Sequence, residues 1–277
     1  MMHPRAILSC LAVPLLVSGC SWFGDKDEEV IKPAALTRIS SEVDLRSLWA
    51  VRVGAGADDK AIKLEPAIKN GRVFAASADG TVLALQGSSG QKIWSQDVRE
   101  IYTEAERNHA FAKDIDVITG GVGIGDDIVL VGTAAGEVLA LRQSDGSLAW
   151  RAAVSSEVLA PPQVLNQLAV AQSIDGTLVG LDAFTGEKRW SYTTTLPALT
   201  LRGTSTPILR DDVVVAGFAN GRVALIDPER GIAAVDERVA AAKGRSDLER
   251  LIDIDGKMVY QNGRLYVASY QGRVLAI

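Results

Sequence analysis

An all-β fold, a β-propeller of four-stranded antiparallel blades, is predicted by three features of this 277-residue chain. The first is a repeat. Paired glycines ten residues apart recur at Gly80/Gly90, Gly136/Gly146, Gly176/Gly186 and Gly221/Gly231, and a fifth copy opens at Gln271-Gly272. Successive first glycines stand 56, 40, 45 and 51 residues apart, so the unit is about forty residues with insertions. The second is a tryptophan four residues after the second glycine: Trp94, Trp150 and Trp190, with Val235 at that place in the fourth copy. The third is the pattern between these markers. Short β-branched runs such as Ile128–Thr133 and Leu168–Gln172 each lead through an x-Gly pair into a second such run, as tight hairpins require. Four such strands per unit make a propeller blade.

Taken from the N-terminus, the chain opens with a targeting segment. Met1–Arg5 is a short basic start, and Ala6–Val17 is an apolar run too short for a stable membrane span. The run closes in Leu16-Val-Ser-Gly-Cys20, which resembles the lipobox of bacterial lipoproteins. That resemblance implies cleavage after residue 19, acylation of Cys20 and, with Ser21 following, delivery to the outer membrane. The acyl chains would form a firm anchor, each buried methylene contributing roughly 0.8 kcal/mol. An ordinary signal peptide with an incidental cysteine is the other reading. Residues 20–38, with Asp25–Glu29 and Pro33, read as the lipidated cysteine and a solvated tether.

The propeller is expected over residues 39–277. Glu42–Val53 reads as the final strand of a blade, with Trp49 in the tryptophan place and no hairpin before it. Blades follow at 60–98, 118–154, 158–194 and 203–239, and 251–277 begins a fifth. The intact ring is expected to hold eight blades, of which this chain carries four to five. Two segments break the period. Arg99–Gly121 reads as a polar, partly helical loop followed by a glycine-rich turn, and Ala240–Arg250 as a charged loop. Such insertions are where repeat proteins place binding surfaces.

Chemistry for catalysis is thin. His109 is the one histidine after the targeting segment, so no Ser-His-Asp or Cys-His arrangement has an alternative base. No His/Cys cluster offers metal ligands. Gly120–Gly125 imitates a phosphate loop but precedes a strand and lacks the lysine, so it reads as a turn leading into a blade. The repeated tryptophans read as packing between blades rather than a ligand cage. A net charge of −5 argues against nucleic acid as a partner. No cofactor is expected.

The repeat of Gly, Ala-Leu or Gly-Leu-Asp, Thr/Ser/Asp-Gly and Trp resembles the PQQ-like propeller repeat. Quinoprotein dehydrogenases share it, but they carry an adjacent cysteine pair that this chain lacks beyond Cys20. The lipobox, acidic tether and PQQ-like repeats together resemble the BamB family of propeller lipoproteins in the outer-membrane β-barrel assembly machinery. Two segments sharpen the likeness: Leu199-Thr-Leu-Arg-Gly-Thr-Ser-Thr-Pro207, and Leu248-Glu-Arg-Leu-Ile-Asp-Ile-Asp255, where Glu249 replaces an Asp. The resemblance implies a non-enzymatic scaffold, lipid-anchored on the periplasmic face of the outer membrane. It also implies that Leu199, Leu201, Arg202, Asp253 and Asp255 grip a periplasmic POTRA domain of the barrel-inserting subunit BamA. An apolar anchor with a charged rim has the character of an interface hot spot. The same residues also read as strands with one buried face, with Arg202 paired to Asp253 inside the monomer. A further expectation is that blade edges or rim loops receive unfolded outer-membrane proteins by strand addition. The alternative class is a ligand-binding or degenerate quinoprotein-type periplasmic propeller.

Overall fold

A computed structural model describes residues 35–38, 40, 42–109 and 114–277. The predicted signal peptide, Cys20 and most of the predicted tether lie outside these residues. The chain divides into two units, Met1–Arg46 and Ser47–Ile277. The described residues of the first carry no helix or strand.

The second unit is a series of antiparallel sheets, each built from strands consecutive in sequence. Blade 1 holds β1 (Ala67–Lys69), β2 (Arg72–Ala76), β3 (Thr81–Gln86) and β4 (Lys92–Asp97). Blade 2 holds β5 (Ile118–Gly125), β6 (Ile128–Thr133), β7 (Glu137–Arg142) and β8 (Leu148–Ala153). Blade 3 holds β9 (Gln163–Leu165), β10 (Leu168–Gln172), β11 (Thr177–Asp182) and β12 (Lys188–Thr193). Blade 4 holds β13 (Ile208–Leu209), β14 (Val214–Gly217), β15 (Arg222–Ile226) and β16 (Ala233–Arg238). The fifth sheet has β17 (Val259–Gln261), β18 (Arg264–Ala268) and β19 (Val274–Ala276). The predicted all-β blade pattern is the observed one. The first strand of blade 1 is short, and residues 62–66 ahead of it carry no strand pairing.

The core lies in the seams. Each apolar cluster joins neighbouring blades: Phe74 and Val82 with Val129 and Leu139, then Leu130 with Ala169 and Leu181, then Val170 and Leu178 with Val214 and Ile226. Strands β6 and β10 are buried along their whole length because blades cover both faces, which is why they read as unbroken apolar runs rather than alternating ones.

The tryptophans latch these seams. The Trp94 indole N–H donates to the Gln143 carbonyl at 3.0 Å, Trp150 to Ala183 at 2.8 Å and Trp190 to Pro228 at 2.7 Å. Each acceptor lies three residues before the second glycine of the next blade. At those glycines a Cβ would come within 2.6–2.7 Å of the incoming indole. Gly146, Gly186 and Gly231 therefore serve twice, supplying positive φ (77°, 75° and 69°) and leaving room for the ring. A one-residue bulge just before each tryptophan aims it at the neighbour. Trp49 does the same to blade 1, donating to Gly87 at 2.9 Å and lying over Gly90. It occupies the predicted tryptophan place, but residues 47–53 form no strand ladder.

The glycine run at 120–125 is corrected from a turn to strand β5 itself. A Cβ on Gly123 would sit 1.6 Å from the Pro162 carbonyl, and one on Gly125 would sit 2.5 Å from that of Val164. The glycines let blade 3 approach the strand face. The described residues of the first insertion carry a 3-10 turn, Val98–Ile101, and a short helical turn, α1 (Glu104–Arg107), closed by a Thr103/Glu106 capping box. Arg151 ties it to blade 2 by pairing with Glu106 and by stacking over Tyr102, 5.2 Å from the ring centroid. The Tyr102 hydroxyl donates to Glu137 at 2.5 Å. Burial, with this carboxylate, pushes the phenol's pKa well up. In the second insertion only Leu248–Arg250 form a 3-10 turn.

Candidate partner-binding patch

Leu199–Pro207 lead into β13 of blade 4, and Leu251–Asp255 lead towards β17 of the fifth sheet. Ser205 anchors the first segment to β14: its hydroxyl donates to the Gly217 carbonyl and accepts the Gly217 N–H, both at 3.0 Å. Gly217 also makes room for the second segment, since a Cβ there would sit 2.5 Å from Ile254 Cγ2. Ile254 is buried and donates its N–H to Phe218. Two segments some fifty residues apart thus lie side by side because β14 receives both.

All five expected residues fall in this neighbourhood, but in different roles. Leu199 is 44% exposed, Leu201 half-buried and Arg202 exposed. Asp253 is only 1% exposed, which corrects the expectation of two carboxylates on the rim. One of its oxygens, Oδ1, accepts the Leu201 N–H at 2.7 Å, while Oδ2 is buried without a hydrogen-bond partner in the protein. Burial pushes this carboxyl up from its ordinary value against the effect of the Leu201 N–H, and Asp255 adds to the rise. Asp255 is half-buried and stands beside Gly203, where a Cβ would lie 3.0 Å from its own.

Arg202 does not pair with Asp253. Its Nη2 donates to Glu157 Oε1 at 2.6 Å and its Nη1 to the Ala61 carbonyl at 3.1 Å. Nor are the two segments strands with one buried face: neither 199–203 nor 251–255 joins a ladder, and Ile252, Asp253 and Ile254 are all buried. Packing from β14 and the surrounding blades overrides the alternation.

Glu157 is the residue that the sequence reading missed. A signal for it exists in the strand register. The hairpin pairs Val164↔Ala169, Leu209↔Val214 and Tyr260↔Leu265 are equivalent in blades 3, 4 and 5, and Glu157, Arg202 and Asp253 each stand seven residues ahead of the first partner. They occupy one repeat position in three successive blades. In blades 1 and 2 the same count back from Ile68↔Val73 and Ile124↔Val129 gives Ala61 and Val117. The glycine repeat carries the same signal, since Glu157, Arg202 and Asp253 each stand nineteen residues before the first glycine of their blade, Gly176, Gly221 and Gly272.

Among the described residues, no group of three or more His, Cys, Asp or Glu is gathered to hold a metal ion. No helix among them is long and apolar enough to cross a membrane.

Successive antiparallel blades latched tryptophan to glycine define a β-propeller of PQQ-like repeats. The family model described as "Outer membrane protein assembly factor BamB" matches residues 43–111 and 89–277. A relative of the same description from Pseudomonas aeruginosa is 40% identical over 267 residues, 96% of this chain and 65% of that protein. The crystal structure of BamB from Moraxella catarrhalis aligns at a TM-score of 0.67 and 31% identity, covering 77% of this chain and 60% of that one. The chain belongs to the BamB family. It spans about two thirds of its curated relatives' length. A quinohemoprotein alcohol dehydrogenase from Comamonas testosteroni shares the fold at a TM-score of 0.57 but only 14% identity, covering 78% of this chain and 41% of that one.

Proposed function

We propose that this chain is a scaffold rather than an enzyme. In this reading it is a lipoprotein of the outer-membrane protein assembly machinery that docks a periplasmic POTRA domain of BamA and assists the folding and insertion of β-barrel proteins. Residues 1–19 are the signal peptide, Cys20 carries the lipid, residues 20–38 are the tether and 39–277 belong to the propeller. The lipid holds the propeller on the periplasmic face of the outer membrane. The contact surface is Leu199, Leu201, Arg202 and Asp255, with Asp253 beneath it.

What supports the reading is membership of a family whose relatives are named assembly factors, together with one observation of geometry. Two segments from neighbouring blades meet over β14 and leave Leu199 and Arg202 exposed and Asp255 half-buried. A partner covering Leu199 and the exposed part of Leu201 gains an apolar centre inside a charged rim, where binding energy concentrates.

The experiment is a titration of the mature protein, made soluble by replacing Cys20, against the isolated periplasmic domains of BamA. The expected result is micromolar-range binding that Leu201→Ala and Arg202→Glu both weaken at least tenfold while remaining folded. Wild-type binding untouched by either substitution would move the interface elsewhere. Absence of wild-type binding would end the assembly reading.

A further inference from the structure

The docking loop is held from both sides by carboxylates. Glu157 precedes β9 of blade 3 and takes the Arg202 side chain at 2.6 Å. Asp253 precedes β17 of the fifth sheet and takes the Leu201 backbone N–H at 2.7 Å. The loop they hold belongs to blade 4, between them. Glu157, Arg202 and Asp253 share one repeat position, so the row reads negative, positive, negative across three blades.

Neither carboxylate is disposed to meet a partner. Asp253 is 1% exposed. The Glu157 side chain is 18% exposed, its Oε1 faces the guanidinium, and its backbone carbonyl is occupied by the Ile174 N–H at 2.9 Å. Asp253 is fixed in the same way, its carbonyl accepting the Tyr270 N–H at 2.9 Å. Both are therefore mounted on the frame, and what they hold is the loop. The Arg202 side chain reaches back across the molecule to the Ala61 carbonyl as well, which leaves its charge largely answered within the chain.

The geometry points to Glu157 as a positioning residue of the BamA-binding patch, acting with Asp253 to fix the loop that presents Leu199 and Leu201. The inference rests on the proposed function for the partner's identity, but the loop's fixation is a property of the free protein. Arg202 is on this view a tether point as much as a contact. Asp253 acts through an accepting oxygen rather than through its charge.

Two measurements on the mature protein test it. The first needs no partner: amide hydrogen exchange of residues 199–203. Glu157→Ala and Asp253→Ala should each speed exchange at the Leu201 amide by about tenfold or more, the scale expected when a buried hydrogen-bond partner is removed. Asp253→Asn keeps the oxygen at Oδ1 and should leave exchange within about threefold of wild type. Unchanged exchange in both alanine variants would overturn the inference whatever the partner does.

The second is titration against the periplasmic domains of BamA. Glu157→Ala and Asp253→Ala should weaken binding about tenfold, Asp253→Asn much less. Arg202→Ala added to Glu157→Ala should cost less than the sum of the two single changes, because residues acting through one interaction are not additive. Wild-type affinity in Glu157→Ala, alongside lost affinity in Leu199→Ala, would overturn the positioning role while sparing the partner. If wild type itself does not bind, the proposed function fails and with it the patch's role. The exchange result still decides whether these carboxylates fix the loop.

Discussion

The seams between blades 1 to 4 and the patch at blades 4 and 5 solve the same problem by different means. At the seams, a tryptophan only 6–7% exposed lies against a glycine and donates one hydrogen bond, and an apolar cluster surrounds it. The opposing residue on the neighbouring strand is small: Ala84, Ala140 and Gly180 face Trp94, Trp150 and Trp190. In blade 4 the exchange runs the other way, with Leu225 facing Val235. At the patch, by contrast, one loop, 199–203, is held by single polar contacts to Glu157 and Asp253. Apolar latches add up over area and tolerate local change. Polar tethers fix a direction, and removing one partner frees what it held. The docking surface proposed above relies on the second kind.

Removing a latch should break that contrast most strongly. Trp150→Ala is expected to lower stability by about 3–5 kcal/mol, measured as a shift in denaturant midpoint, because it empties an apolar site and leaves the Ala183 carbonyl unpaired. A loss under about 1 kcal/mol would mean that the latches contribute little to the seams. The first insertion is fixed by polar contacts like the patch, and sharpens the comparison at smaller size. Tyr102→Phe removes the donor to Glu137 and should cost about 1–2 kcal/mol on the same scale. An unchanged midpoint would make that contact incidental.

Two pH experiments separate the carboxylates. Asp253 has a folded pKa raised above its ordinary value, so between those two values the folded chain binds more protons than the unfolded one, and stability falls as pH rises through the folded value. Asp253→Asn should abolish that decline and make the protein slightly more stable than wild type at neutral pH. A variant less stable there would show that the charge itself contributes. Glu106 runs the opposite way. The Arg151 guanidinium, with the Thr103 amide and hydroxyl, holds its carboxyl at about 2. Its contribution is present above the ordinary carboxylate range and is lost as pH falls towards that value. Glu106→Gln should flatten the acid limb by the smallest amount of the four, since the pair is partly exposed to solvent. An acid limb identical to wild type would leave the ion pair without effect on stability.

Much of this was legible in the residues. The glycine spacing and the β-branched runs determined blades and hairpins, because each depends on short-range backbone geometry repeated along the chain, and the Trp94, Trp150 and Trp190 places marked the residues that pack between blades. The likeness of 199–207 and 248–255 to a known pair of segments marked the patch. What the sequence did not reveal is which groups meet there. It offered Arg202 to Asp253; the folded chain gives Arg202 to Glu157, 45 residues away, and to Ala61, 141 residues away. It read Asp253 as a rim charge, although burial turns it into an acceptor for a backbone amide. It read Gly120–Gly125 as a turn, although the close approach of Pro162 makes it a strand. Hairpins are fixed by neighbours a few residues apart, which the sequence carries in order. The partners of Arg202, Asp253 and Gly123 are chosen by how whole blades stack, and only the tertiary structure brings those distances to contact.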